Sequence, residues 1–462
     1  MSGNIIAAVA TPSGKGGVAL IRVSGEGAIE LVDRLFFPMS RKKLTDYPAR
    51  TSVYGYIINN EEKIDDGMAC IFKAPASYTG EDTVELSVHG GRLVTECVLS
   101  AIIENGARLA LPGEFTRRAF INGKLTLSEA EAIATLLDAV SEEQIKLSSL
   151  PKRTKLREAL DSLLSSLASI LASLFARIDY PDEDLGEYGR EEAVAELKAL
   201  LVDTDRLLST YRTGHAVSEG LLTSIVGKTN VGKSSLYNLL LGEEAAIVTD
   251  VEGTTRDVLE RTVKLGSCLL RLQDTAGIRE SERADAIERI GIERSRRAIE
   301  KSELILAVFD LSRPLDEDDL DTLDAIKDST AERIAILNKS DMPALLDTEK
   351  IKCFFTDLIY ASTLENGEAV REEISKKICS MFYDGRLISE DDAVIANKRQ
   401  FTALENAKKM LEEAIKSYET GLAEDAIATD LEAALAYIGE IDGRKVSELV
   451  VSEIFKNFCV GK

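Results

Sequence analysis

Histidine is scarce in this chain. Its 462 residues contain only His89 and His215, too few for Ser–His nucleophile chemistry or a His-rich metal centre. The six cysteines (Cys70, Cys97, Cys268, Cys353, Cys379 and Cys459) are scattered without any C-x-x-C spacing. That excludes a zinc ribbon and a disulfide framework, and it fits a reducing compartment. Basic residues are also in deficit: 56 Lys and Arg face 79 Asp and Glu, for a net charge of −23. Generic coating of a polyanion is therefore excluded, and any nucleic acid would have to be met by a local basic patch. The N-terminus lacks the charged-then-apolar order of a signal peptide. The most apolar helical stretch, Leu163 to Phe175, is broken by serines and falls short of the ~20 residues that a bilayer requires. These absences predict a cytoplasmic protein with no membrane partner.

What is present is core material. A hydrophobic content of 45% supports packed domains, roughly two to four at this length. Residues 1–118 alternate short apolar runs with glycine-rich turns. Val18–Val23, Met68–Phe72 and Thr83–Val88 read as strands, and Gly27–Leu35 and Leu93–Asn105 as helices, which predicts an α+β domain. Residues 119–215 turn helical, with Leu164, Leu167, Leu171 and Leu174 on one stripe and Glu191–Leu208 resuming it after Pro181. Residues 216–383 alternate strand and helix, predicting a mostly parallel α/β sheet. Residues 384–462 are helical again, with Phe401, Leu404, Met410, Leu411 and Ile415 on one side. Helical segments on both flanks predict an α/β domain inserted into a helical bundle.

The most informative stretch is Gly227-Lys228-Thr229-Asn230-Val231-Gly232-Lys233-Ser234, a G-x-x-x-x-G-K-S phosphate loop. An apolar strand, Leu221–Val226, precedes it. A helical pattern from Ser235 to Leu241 follows, so the loop opens a helix N-terminus where backbone N–H groups meet an anion. Three further elements follow in the order that GTP chemistry requires. Asp274-Thr275-Ala276-Gly277 ends a strand as D-x-x-G, with Asp274 reaching Mg²⁺ through water and the Gly277 N–H reaching the γ-phosphate. Leu304–Asp310 is a buried strand. Asn338-Lys339-Ser340-Asp341 supplies an aspartate that accepts both guanine N1–H and N2–H₂, donors that adenine lacks, while Asn338 supports the other edge of the base. Thr249-Asp250-Val251-Glu252-Gly253-Thr254-Thr255 occupies the place of a switch loop, and Thr255 joins Ser234 as candidate Mg²⁺ ligand. Ile278 stands where a water-orienting glutamine would follow D-x-x-G. Asn230 either stabilises the loop's turn or ligates a monovalent cation against the phosphates, as a substitute for an arginine finger.

Together these residues resemble, over nearly the full length, the MnmE (TrmE) family of bacterial tRNA-modification GTPases. Asn230, Gly253-Thr254-Thr255-Arg256-Asp257 and Asp274–Gly277 carry the match inside the nucleotide domain. Outside it the match rests on Ser77-Tyr78-Thr79-Gly80-Glu81-Asp82, His89-Gly90-Gly91, Pro112–Thr116, Arg118–Lys124 and the tail Phe458-Cys459-Val460-Gly461-Lys462. The resemblance implies an N-terminal folate-binding and dimerising domain, a helical domain, and a Ras-like GTPase domain inserted in it. It implies joint action with the FAD-dependent protein MnmG to place an aminomethyl or carboxymethylaminomethyl group at C5 of the wobble uridine of certain tRNAs. The one-carbon donor would be 5,10-methylene-tetrahydrofolate, with 5-formyl-tetrahydrofolate as its stable analogue, and glycine or ammonium the co-substrate. GTP would be hydrolysed when two such domains of a homodimer meet around K⁺.

Carried over by motif, the GTP-contacting residues are Asn230 to Ser235, Thr249 to Thr255, Asp274 to Gly277, Asn338, Lys339, Asp341 and Ala361. Asn230, Thr249, Val251 and Thr254 would surround K⁺; Ser234 and Thr255 would hold Mg²⁺. Glu288 would orient the attacking water and Lys233 would neutralise phosphate charge. Arg22, Glu85, Lys124 and Lys462 would line the folate pocket, although by themselves Arg22 and Glu85 read as an ordinary strand-surface pair. Cys459 stands four residues from the end, but Gly461 and Lys462 do not complete a prenylation box; the resemblance implies a catalytic role near the folate or uridine. Two departures stand out: Tyr360-Ala361-Ser362 replaces the usual Ser-Ala of the last guanine loop, and residues 147–158 match weakly. Within the latter, Lys152, Arg153, Lys155 and Arg157 read as a solvated basic helix face rather than a tRNA contact. The competing expectation is a GTP-dependent ribosome-assembly or switch protein, which would carry an appended RNA-binding module and would have no use for the folate residues.

Overall fold

The structure is a computed structural model. It describes residues 5–12, 14–180, 190–242, 260–266, 268–273, 298–382 and 392–444, with 451, 454–456, 458 and 461 near the end. The chain divides into two compact units, Met1–Ala134 with Gly439–Lys462, and Thr135–Ile438.

The first unit is built on β1 (Ile6–Val9), β2 (Val18–Ser24), β3 (Phe36–Pro38), β4 (Thr51–Asn59), β5 (Glu62–Phe72), β6 (Thr83–His89) and β7 (Arg108–Leu109), in spatial order β3-β4-β5-β6-β2-β1-β7. All neighbours are antiparallel except β1 and β7. Period-two alternation assigns each face. Ala19, Ile21 and Val23 of β2 enter a core with Val98, Ala101 and Ile102 of the helix Arg92–Glu104. Arg22 therefore projects to the opposite face, in register with Glu85. That face packs Ile6 and Ala8 against Ala110 and Phe115. The C-terminal residues Val451, Phe455 and Phe458 return to this unit and bury with Leu127 and Ala130. The long β4–β5 pair is legible only in part from the sequence, because β5 opens on Glu62-Lys63-Ile64-Asp65-Asp66, a polar run with no clear strand signal.

The second unit contains the sheet β13-β12-β11-β8-β10-β9, formed by β8 (Leu221–Val226), β9 (Glu260–Leu265), β10 (Cys268–Gln273), β11 (Leu304–Asp310), β12 (Glu332–Asn338) and β13 (Asp357–Ala361). Every pairing is parallel except β9 with β10. Central β11 is buried along its whole length, as a parallel strand covered on both faces must be. In the same unit the helix Arg190–Ser209 packs against Leu150–Asp179 and Lys398–Thr420.

Two sequence expectations are corrected here. The apolar stretch Leu163–Phe175 is the middle of one 30-residue helix, Leu150–Asp179, whose polar first third concealed its start. Its length and a window of mean hydropathy 1.7 are sufficient to cross a membrane, so shortness is no argument. Its apolar residues instead bury on one stripe, Leu156, Leu160, Leu163, Leu167, Ile170, Leu171 and Leu174, the pattern of a core helix. Nor is Lys152 part of a solvated face: it is buried and donates to the Asp392 carbonyl at 2.9 Å. Lys155 does lie on the surface, paired with Glu158 at 3.2 Å.

Candidate nucleotide site

The phosphate loop leaves the C-terminal end of β8, between β10 and β11, where the strand order reverses and open α/β sheets place their ligands. Gly232 closes the loop with φ +107° and caps the helix Lys233–Leu241. A Cβ at Gly232 would stand 2.1 Å from the side-chain nitrogen of Asn338, so glycine is required for both conformation and space. Val231 is fully buried and pins the loop to the core. Asn230 is exposed, with φ +64°, a left-handed conformation that asparagine tolerates better than most residues. Lys233 donates to the carbonyls of Gly227 at 2.7 Å and Lys228 at 2.5 Å, and burial holds its ammonium below the usual lysine range. Ser234 and Ser235 lie half-buried in the first helical turn.

Long-range hydrogen bonds tie the base-recognition loops to this cradle. Asn338 at the end of β12 donates to the Val231 carbonyl at 2.8 Å, and its side-chain oxygen accepts the Thr363 N–H at 3.2 Å. The Ser340 N–H donates to the Ala361 carbonyl at 3.0 Å. The phosphate loop, the N-K-x-D loop and the turn after β13 thus form one hydrogen-bonded body. Sequence reasoning gave Asn338 only the base's edge. Its amide has two N–H groups, and one of them is committed to Val231. Lys339 takes φ +63° and pairs with Asp310 at 2.6 Å, while Asp341 is exposed. Ala361 is buried and Tyr360 largely exposed. Thr249, Asp250, Val251, Glu252, Gly253, Thr254, Thr255, Asp274, Thr275, Ala276, Gly277 and Glu288 lie outside the described residues.

A second constellation occupies the first unit. Arg22 donates to Glu85 at 2.9 Å through Nε and lies 2.8 Å from it through its second amino group. Its third nitrogen is 3.5 Å from the Gly461 carbonyl. The guanidinium sits 5.3 Å from the Tyr78 ring and 5.5 Å from that of Phe115. With side chains only 13% and 23% exposed, Arg22 and Glu85 are not the surface pair that strand pattern alone suggested. Gly461, at φ +100°, lies so close under β1 that a Cβ would be 2.3 Å from the Val9 carbonyl, which delivers the chain's end to this face. Lys124 donates to the Pro75 carbonyl at 3.1 Å. Cys459 and Lys462 lie outside the described residues.

The same unit holds a polar network to which sequence reasoning assigned no role. Arg118 binds Glu81 at 2.9 Å and Glu114 at 3.1 Å, and the Ser24 hydroxyl donates to Glu81 at 2.9 Å. Burial pushes the Glu114 carboxyl up, but Arg108, the Leu111 N–H and Arg118 outweigh it and bring the group to about 2. The family motif Ser77–Asp82 contains Glu81, which was the available signal.

A glycine loop between strand and helix, joined to an N-K-x-D loop at the switch point of a parallel sheet, defines a P-loop domain of the GTPase class. Comparison with known proteins narrows this. Residues 5–124 match the model "GTP-binding protein TrmE N-terminus", and residues 127–459 match "MnmE helical domain". The tRNA modification GTPase MnmE of Moorella thermoacetica is 41% identical, with 100% of both chains covered. Those of Geobacillus thermodenitrificans and Thermoanaerobacter pseudethanolicus are 40% and 38% identical over 99% of each chain. The chain belongs to the MnmE family of tRNA modification GTPases and is, with that family, a GTP hydrolase.

Proposed function

We propose that this protein couples GTP hydrolysis to modification of C5 of the wobble uridine in tRNA, acting as a homodimer with an FAD-dependent partner of the MnmG type. The supporting observation is the relatedness across whole chains, which includes the unit that carries Arg22 and Glu85 as well as the nucleotide domain. In this reading residues 1–118 are the folate-binding and dimerising domain and 216–383 the GTPase domain. Residues 119–215 and 384–462 form the helical domain, and the protein is cytoplasmic.

The nucleotide residues fit their substrate. The Gly232 cradle admits no side chain, and the helix N-terminus behind it offers N–H groups and a positive dipole to phosphate. Lys233 already points into the loop and would exchange its carbonyl partners for phosphate oxygens. Exposed Asp341 would accept the two guanine N–H donors, with the Lys339 stem alongside the base. Ser234, in the first turn, would hold Mg²⁺ together with Thr255. Asn230 faces solvent beside the phosphate cradle and would ligate K⁺ with Thr249, Val251 and Thr254. These cations supply positive charge to the phosphates; Glu288 would orient the attacking water.

At the other site, Arg22 and Glu85 fit a polar heteroaromatic ring such as a reduced folate. They offer a fixed carboxylate and guanidinium beside the faces of Tyr78 and Phe115. Lys124 and Lys462 would complete that pocket, and Cys459 would act next to it. The test uses purified full-length protein: it should hydrolyse GTP and not ATP, and faster in KCl than in NaCl. Absence of GTP hydrolysis in either salt overturns the nucleotide reading, and equal rates overturn the K⁺ assignment.

A further inference from the structure

The connection between β11 and the helix Glu317–Ile326 carries charges that belong to no nucleotide motif, yet it lies between the loops that hold the two ends of a nucleotide. Asp310 ends β11 with its carboxylate oriented on both oxygens. One oxygen accepts the Ser312 N–H at 3.0 Å and hydroxyl at 2.6 Å; the other meets Lys339 of the N-K-x-D loop at 2.6 Å. Burial pushes the Asp310 carboxyl up, but Lys339 and Ser312 prevail and hold it below the usual carboxylate range. Arg313 lies 3.4 Å from Asp310, 3.1 Å from Asp316 and 3.6 Å from Asp319. Asp316 caps the helix through a capping box with Asp319, and its other oxygen receives Lys228. Lys228 belongs to the phosphate loop, and its side chain is only 11% exposed. The charges alternate in sign from Lys228 through Asp316, Arg313 and Asp310 to Lys339.

We propose that Arg313 and Asp316 are positioning residues of the nucleotide site: without touching the nucleotide, they fix the spacing between the phosphate loop and the base-recognition loop. The inference rests on the GTP-site reading above. A nucleotide spanning both loops binds more tightly when their spacing is set beforehand, because less ordering is left to the binding step. A single exposed ion pair would contribute little, whereas a partly buried network with three carboxylates around one guanidinium holds its geometry. Asp316 also has a plain structural duty as helix cap, and the variants must separate the two. Asp316→Asn keeps the cap, since asparagine caps as well as aspartate, and removes the charge that holds Lys228 and Arg313.

The experiment is stopped-flow release of a fluorescent GDP from the full-length protein, with thermal melting in parallel. Arg313→Gln and Asp316→Asn should each release GDP about five-fold faster, and the double variant no faster than the quicker single one, since both cut one network. Arg313→Lys should recover part of the loss. Lys327→Met, which breaks an exposed pair with Asp324 at the far end of the same helix, should leave release unchanged. Affinity for guanosine, which lacks phosphates and engages only the base loop, should change less than affinity for GDP. GDP release within two-fold of wild type in both single variants overturns the proposal, as do losses that add independently and track melting temperature. Failure of wild type itself to bind GDP overturns the site reading and this inference with it; tight wild-type binding with unaffected variants overturns the inference alone.

Discussion

Asn338 donates to the carbonyl of Val231 at 2.8 Å across 107 positions of sequence, joining the N-K-x-D loop to the glycine loop after β8. Both groups are buried. Asn338→Ala removes the partner of the Val231 carbonyl and of the half-buried Thr363 N–H, and a buried orphan such as that carbonyl costs about 1–3 kcal/mol. GTP affinity measured by fluorescence titration should fall at least about ten-fold, the equivalent of ~1.4 kcal/mol. Unchanged affinity would show that the two loops keep their places without this bond.

Arg22 and Glu85 form a second testable pair. Arg22→Lys keeps the charge but cannot span both Glu85 and the Gly461 carbonyl, because an ammonium lacks the planar fork. Binding of 5-formyl-tetrahydrofolate to the full-length protein should weaken about ten-fold or more, given ~1.5–3 kcal/mol for hydrogen bonds to charged groups. Equal binding by wild type and Arg22→Ala would remove this face from the folate assignment.

Potassium and water activation separate by variant. Asn230→Ala should abolish the advantage of K⁺ over Na⁺ in GTP hydrolysis. Glu288→Ala should slow hydrolysis by about 100-fold, the lower range for a positioned acid or base, while GTP affinity stays within about two-fold of wild type. Loss of affinity in Glu288→Ala would point to a structural carboxylate.

His215 gives a pH prediction for the second unit. It is buried between Glu303 at 2.7 Å and Glu219 at 3.2 Å, and stacked on Tyr211. Burial lowers its pKa, but the two carboxylates outweigh it and raise it to about 9. The raised group contributes stability that is complete below its unfolded pKa of ~6.5 and is lost as pH climbs through about 9, at most a few kcal/mol. The melting temperature of wild type minus that of His215→Gln should therefore shrink from pH 6.5 to pH 9.5. A difference constant across that range contradicts the charged-histidine account.

The ease of reading each part from sequence follows the range of the interactions. The strand, loop and helix around Gly227–Ser234 are local, so spacing and periodicity expose them. The partners of Asn338, Lys228 and Arg22 are not local. Nothing near Asn338 in sequence names Val231, and an Arg–Glu pair on neighbouring strands looks exposed until the chain's end folds beside it. The helix Leu150–Asp179 was legible only where it is apolar, because its first turns carry Lys152, Arg153, Lys155 and Arg157. Lys152 shows why charge alone misleads: its long stem buries while its ammonium finds the Asp392 carbonyl.

In the function proposed above, hydrolysis at the Gly227–Ser234 loop serves tRNA modification. Nucleoside mass spectrometry of tRNA from cells lacking this protein, complemented with wild type or with Lys233→Ala, tests it most directly. The account predicts that the C5-modified wobble uridine disappears in the deletion, returns with wild type and stays absent with Lys233→Ala. An unchanged wobble uridine in the deletion strain would contradict it.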